Sequence, residues 1–172
     1  MVVFNKKNIL MEESLIRLNK SKKGRIMVNP VLLSSYLCGS IESFFDMYIL
    51  NYYNNALELA ENSLQNNENK DDIEGSLSKL HISDLIENPD KRLNSLEYLR
   101  LGLFVAELIY YRLKSEFSVD SFAIIVSFTI KGKYKDCIVS FHKIRDMHYY
   151  NEQSYFDNFQ NEAVGLILTK VS

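Results

Sequence analysis

The residue types best suited to catalysis or metal binding are few and widely spaced in this sequence. The three histidines, His81, His142 and His148, include no pair at the short spacing typical of zinc ligands. Cys137 and His142 lie five residues apart, which on one strand places their side chains on opposite faces. Because the sequence also has no Gly-x-Ser-x-Gly turn, we expect no enzyme activity and no structural metal.

Cofactor binding is not indicated either. The six glycines are scattered singly, so the sequence has neither a P-loop nor a dinucleotide-binding fingerprint. The two cysteines, Cys38 and Cys137, are typical of buried thiols in a reducing compartment. The sequence shows no signal-peptide pattern, and its longest apolar run, residues 101–111, is too short to span a bilayer. We expect a cytoplasmic protein without a cofactor.

Charge is distributed unevenly, although the net charge is only -2. Residues 41–90 contain eleven acids and two bases, a block with a charge of -9. Charge runs of this kind are often solvated surface, but clustered carboxylates also steer basic partners toward a protein. The acids that we expect to bind such a partner are Glu58, Glu61, Asp71, Asp72 and Glu74.

Aromatic residues are concentrated near the C-terminal end of the sequence. Tyr149, Tyr150 and Tyr155 stand close to Phe156 and Phe159. Such rings pack a sheet onto a helix, or they anchor an interface, where tyrosine is enriched. We therefore take the three tyrosines as candidate contacts with a partner.

A basic segment precedes the acidic block and offers another kind of surface. Lysine and arginine side chains of such a segment neutralise phosphates, but no motif for reading DNA or RNA accompanies it. We favour a solvated loop and keep a nucleic-acid-binding or regulatory module as the alternative. The residues concerned are Lys20, Lys22, Lys23 and Arg25.

Periodicity predicts helices in the first two thirds of the chain. Asn29–Pro30 is a helix-start signal, and Asn94 with Glu97 is a capping box. Apolar residues at helical spacing predict a helix from Ser40 to about residue 64, followed by a polar loop over 65–72. The side chains that we expect in the core of the long helix after Asn94 are Leu99, Leu103, Phe104 and Leu108.

The last third of the chain has the pattern of strands. β-branched and aromatic residues predict a hairpin over 121–145 and a further strand over 162–171. Residues 150–160 fit either a helix or a loop. Helices followed by strands predict one α+β domain, residues 1–172, with a small antiparallel sheet packed against the helices.

Residues 121–145 and 161–168 resemble the sheet region of small bacterial immunity proteins, which neutralise the toxins of contact-dependent growth inhibition and other polymorphic toxin systems. The resemblance implies a cytoplasmic protein that binds one toxin domain and occludes its active site. Many such toxins are nucleases, whose cationic clefts would suit the acidic block. The expected protein is a monomer or homodimer without direct contact to nucleic acid or membrane. An enzyme whose site has no local motif remains a further alternative.

Overall fold

The computed structural model describes residues 3–22, 24, 26–52, 55–87, 94–130, 136–147, 150, 156 and 159–170. Within these ranges the helices are α1 (Ile9–Lys20), α2 (Pro30–Cys38), α3 (Ala56–Gln65), α4 (Lys70–Leu77) and α5 (Ser95–Glu116). The strands are β1 (Lys6–Lys7), β2 (Ile41–Phe44), β3 (Met47–Leu50), β4 (Leu80–His81), β5 (Phe122–Thr129), β6 (Cys137–Lys143) and β7 (Glu162–Leu168). None of the helices in these ranges combines the length and the apolar character needed to cross a bilayer.

Five of the strands form one antiparallel sheet in the order β1-β7-β5-β6-β4. The central strand β5 places Val126 opposite Val139 of β6 and Gly165 of β7. Both edge strands are only two residues long, which leaves little unpaired backbone for edge-to-edge association. The predicted α+β class is confirmed, with the strands of the hairpin within 121–145 and the last strand within 162–171.

The two faces of the sheet are covered by different parts of the chain. Phe122, Ile124 and Val126 alternate along β5 into the main core, which they share with buried residues of α1 and α5. On the other face, a smaller cluster joins Ala123 and residues of β7 to Tyr150 and Phe156. α4 packs beside this second face against β6, and this packing positions the candidate site.

The segment 40–64 differs from the predicted single helix. β2 and β3 form a two-stranded hairpin, and only Ala56–Gln65 is helical. The hairpin turns at Phe45 and Asp46, whose φ angles of 48° and 65° are left-handed. Such turns usually contain Asn-Gly, and the spacing of the aromatic residues also fits a helix. The sequence therefore lacked the usual signal for this turn.

The predicted helix starts at Asn29 and Asn94 are confirmed, but the capping box and the following loop boundary differ from the prediction. Asn29 caps α2 ahead of Pro30, and Asn94 caps α5 by accepting a hydrogen bond from the backbone N–H of Leu96. The capping box is wrong, because Glu97 accepts from the backbone N–H of Gly24 and pairs with Arg100 instead. The loop predicted at 65–72 is shorter than expected, since α4 already begins at Lys70.

The buried face of α5 is also rotated from the predicted one. Leu99 is fully buried as predicted, but Leu103 and Leu108 are only partly buried. Phe104 is 50% exposed, so its assignment to the core is wrong. The apolar residues almost surround this helix, and the pattern alone did not fix which stripe faces the sheet. Besides Leu99, the stripe contains Gly102, Val105, Ala106, Ile109 and Leu113.

Gly102 allows α5 to lie close to β6, because a Cβ at this position would overlap the Sγ of Cys137. We expect Gly102→Ala to lower the free energy of unfolding by about 1–2 kcal/mol. Overpacking costs up to about 3 kcal/mol, and the better helix propensity of alanine returns about 1 kcal/mol. Urea denaturation of Gly102→Ala, Cys137→Ala and the double variant measures this. Losses that simply add in the double variant would contradict the proposed overlap.

Candidate functional site

An ion-pair network joins the β2–β3 hairpin to α4 and β6. The Nη1 of Arg145 contacts the Oδ1 of Asp71 and lies 2.7 Å from the Oε2 of Glu74. The Nζ of Lys143 lies 2.7 Å from Asp46 Oδ1 and 2.9 Å from Asp120 Oδ1. The two cations hold carboxylates from separate elements, so the network stabilises this corner of the fold.

Glu74 is the buried centre of that network. Its carboxylate accepts hydrogen bonds from the backbone N–H groups of Tyr48 and Lys143. Burial raises the pKa of Glu74, and the hydrogen bond from Arg145 opposes that rise. Glu74 was expected to contact a partner, but its side chain is fully buried. This corrects its expected role, because Glu74 supports the structure and is not presented at the surface.

Other carboxylates of the acidic block face solvent. Glu58 and Glu61 on α3 and Asp72 on α4 are exposed, as is Glu68 in the connection between the two helices. Among the residues that the structure describes, these four acids form no ion pair. The two helices pack against each other and share a small core that includes Ala60 and Ile73. The acidic block is therefore divided between internal ion pairs and a free surface on one helical pair.

A polar cleft of about 650 Å³ lies between α4 and the outer face of the sheet. The described residues that line it include the carboxylates of Asp71, Asp72 and Asp146 and the ammonium group of Lys79. The uncharged lining residues in the described part of the chain are Asn69, Gly75, Ser76, Ile125, Ser140, His142 and Tyr150. The cleft brings together Asp71, Asp72 and Tyr150, three of the residues that the sequence pointed to.

His142 and Tyr150 form a buried pair in the cleft. The Nε2 of His142 is hydrogen-bonded to the Tyr150 hydroxyl, and the two rings stack with their centroids 5.7 Å apart. Burial lowers the pKa of His142, although the nearby Asp71 acts in the opposite direction. Burial therefore favours the neutral imidazole, in which one ring nitrogen carries a lone pair that can accept a hydrogen bond.

Tyr150 was expected as an aromatic anchor for a partner, but it is only 2% exposed. Its ring belongs to the cluster on the outer face of the sheet, so its position is a correction to that expectation. Tyr149 and Tyr155 lie outside the described residues. The sequence predicted that the side chains of His142 and Cys137 lie on opposite faces of one strand. The structure confirms this, because both residues belong to β6 and are five positions apart. Tyr150, the partner of His142, lies beyond the strand and could not be read from the pattern.

A second histidine is held by a carboxylate at the edge of the sheet. The Nδ1 of His81 lies 2.7 Å from Asp136 Oδ2, and Asp136 Oδ1 accepts a hydrogen bond from the backbone N–H of Ser83. A carboxylate holds a histidine in a similar way in the base half of catalytic triads. Among the described residues, however, no hydroxyl or thiol is hydrogen-bonded to His81.

The thiols and the basic segment add no chemistry to this site. Burial raises the pKa of Cys137, whereas Cys38 is exposed, contrary to the expectation of two buried thiols. In the described part of the chain, no three His, Cys, Asp or Glu side chains are grouped to hold a metal ion. Lys20 and Lys22 are exposed, and Lys23 and Arg25 lie outside the described residues.

The fold and the site define an α+β protein with an unpaired acidic surface on one helical pair and a polar cleft beside it. No protein-family model, curated protein or solved structure matches the chain. The functional proposal therefore depends on the geometry of the chain's own side chains.

Proposed function

We propose that the chain is a non-enzymatic immunity protein that neutralises a cognate toxin domain, with a nuclease as the expected toxin. The observation that carries the proposal is the set of exposed, unpaired carboxylates on α3 and α4, including Glu58, Glu61 and Asp72. The resemblance of the sheet region to bacterial immunity proteins supports it. The proposed place of action is the cytoplasm, and the proposed active form is a monomer or homodimer.

The physical basis of the proposed inhibition is charge complementarity. A nuclease presents lysine and arginine around the cleft that holds its phosphate backbone. Carboxylates that have no internal partner attract such a surface and accelerate the encounter. In this mechanism the helical pair covers the toxin's cleft and excludes nucleic acid, so the inhibitor needs no direct contact with nucleic acid itself.

Apolar contacts would supply much of the affinity. Leu59 is 42% exposed and lies between Glu58 and Glu61 in the sequence of α3. Phe45 is 68% exposed at the turn of the β2–β3 hairpin, and the hairpin packs against the same helical pair. These two side chains are better placed as apolar contacts than the buried Tyr150.

Co-purification from the native host, with mass-spectrometric identification of the partner, is the first test. We expect a toxin domain with a basic surface, and we expect its purified catalytic activity to fall to zero at an equimolar amount of this chain. The control is an unrelated acidic protein of similar size at the same concentration. A partner whose activity persists when the chain saturates it would refute the proposed inhibition.

A further inference from the structure

One ring nitrogen of a buried histidine in the cleft has no hydrogen-bond partner among the described residues. His142 is 6% exposed, and its Nε2 is bound to Tyr150. Within the described ranges, its Nδ1 makes no hydrogen bond, although His142 is one of the residues that line the cleft. Among the described residues, Nδ1 is not one of the fully buried atoms that lack a partner, so it opens onto the cleft as an acceptor that a ligand group can reach.

Gly75 leaves the approach to that nitrogen open. It lies in the interior of α4, where alanine is the more favourable residue. A Cβ at Gly75 would lie 3.8 Å from Nδ1, and no other atom would come as close. The helix therefore has room for a methyl group at this position, and the glycine is explained by access to His142 and not by packing.

The charges around the cleft select a cation. Among the described residues that line it, the carboxylates of Asp71, Asp72 and Asp146 outnumber the ammonium group of Lys79. Asp71 is already paired with Arg145 and Asp146 also has an interaction, whereas Asp72 forms no ion pair among the described residues. A cation entering the cleft would therefore meet a carboxylate that forms no ion pair within the described residues and a ring nitrogen that can accept a hydrogen bond.

The acceptors and walls narrow the class of cation. A guanidinium group has five N–H donors in one plane and reaches two acceptors at once, which an ammonium group does less well. Ser140 adds a hydroxyl, and Ile125 provides an apolar wall for an alkyl stem. We propose that the cleft binds an alkylguanidinium group, with His142 Nδ1 accepting one N–H and Asp72 balancing the charge.

The proposed cleft does not depend on the toxin partner. The group would belong either to a free small molecule or to an arginine side chain of a bound protein. Binding fixes the tautomer of His142, because Nδ1 must accept and Nε2 must then donate to the Tyr150 hydroxyl. Asp72 belongs to both the cleft and the acidic surface, but Glu58 and Glu61 lie outside the described cleft lining. A cleft that binds no guanidinium group would therefore leave the part of the acidic surface on α3 untouched.

Titration of the full chain with N-butylguanidinium, followed by two-dimensional NMR, tests the site. We expect a dissociation constant on the order of 1 mM for so small a ligand, with shifts in His142 and α4. n-Butylammonium should bind more weakly, and the neutral n-butylurea should not bind. Acetyl-arginine amide distinguishes the sources: tighter binding than N-butylguanidinium indicates a peptide arginine, and weaker binding indicates a free small molecule.

Gly75→Ala is the decisive variant, because it places a methyl group in front of Nδ1 without a clash. We expect binding of N-butylguanidinium to weaken at least tenfold while the melting temperature stays at or above that of the wild type. Asn62→Ala, exposed on α3 and outside the cleft, is the control and should bind normally.

His142→Gln provides a second variant, which retains a group that can reach Tyr150 but lacks Nδ1. Its affinity for N-butylguanidinium should also fall at least tenfold. If Gly75→Ala fails to fold, His142→Gln tests the proposal in its place. Wild-type affinity in either folded variant would overturn the proposal. Binding of n-butylurea equal to that of N-butylguanidinium would overturn it as well.

Discussion

Replacing Arg145 with methionine should lower the free energy of unfolding by about 3–5 kcal/mol at pH 7. The substitution removes the cation that faces the fully buried carboxylate of Glu74 and leaves an uncompensated charge in the interior. Methionine keeps much of the apolar stem, so the loss reports mainly on charge. Chemical denaturation of both proteins measures the difference.

The deficit of Arg145→Met should shrink as the pH falls. Burial already raises the pKa of Glu74, and the loss of Arg145 removes an interaction that opposes this rise. A carboxyl whose pKa is higher in the folded protein destabilises the fold above that folded pKa. The cost disappears as the pH falls through the folded pKa toward the unfolded value. Unfolding measured from neutral to mildly acidic pH should therefore show the variant approaching the wild type.

A double variant separates buried charge from other contacts of Arg145, which also reaches Asp46 and Asp71. Arg145→Met combined with Glu74→Gln should lose less stability than Arg145→Met alone, because no charge remains buried. Arg17→Met replaces an exposed arginine on α1 and should change stability by less than about 0.5 kcal/mol. Equal losses in the single and double variants would contradict the assigned role of Glu74.

The strands of the sheet could be predicted, whereas the ion-pair network could not. Phe122–Thr129 is rich in β-branched and aromatic residues, and this local composition is enough to specify a strand. By contrast, Asp46 and Arg145 are 99 residues apart, and no local pattern pairs them. The sequence shows that acids are concentrated in residues 41–90. It could not show which of their carboxylates form internal ion pairs, because that depends on the three-dimensional positions of Lys143 and Arg145.

The same limit applies to the cleft. Alternation along β6 placed His142 on the face opposite Cys137, and this much followed from the strand period. Its neighbours come from α4 and from beyond the strand, so their approach depends on the tertiary packing of α4 against β6. Gly75 gave no signal in the sequence, because a single glycine in a short polar segment is typical of a loop. The role proposed for Gly75 depends on its position beside His142, which only the three-dimensional structure shows.

Reversing Glu58, Glu61 and Asp72 to lysine in one chain should slow association with the cognate toxin about tenfold or more. The three carboxylates are exposed and form no ion pair within the described residues, but Glu58 and Asp72 lie in the first turns of α3 and α4, where acids are favoured. The free energy of unfolding should therefore fall by about 1–2 kcal/mol, and the chain should stay folded. Stopped-flow measurements of the cognate pair give the rate. Charges at the rim of an interface are screened over about 10 Å at 0.1 M salt. The difference between wild type and variant should therefore narrow as salt is added.

The control for this variant reverses two exposed acids on α1, Glu12 and Glu13, which lie outside the acidic block. It raises the net charge of the chain without changing α3 or α4, so it should associate at a rate close to that of the wild type. A comparable slowing in both variants would show that net charge alone sets the rate. If the triple variant associates at the wild-type rate at low salt, the acidic surface is merely solvated. The contact must then be sought in apolar and aromatic side chains, first the exposed Phe45 and Leu59 and then Tyr149 and Tyr155. Affinity at a protein interface is concentrated in a few such anchors, and charge mainly accelerates the encounter.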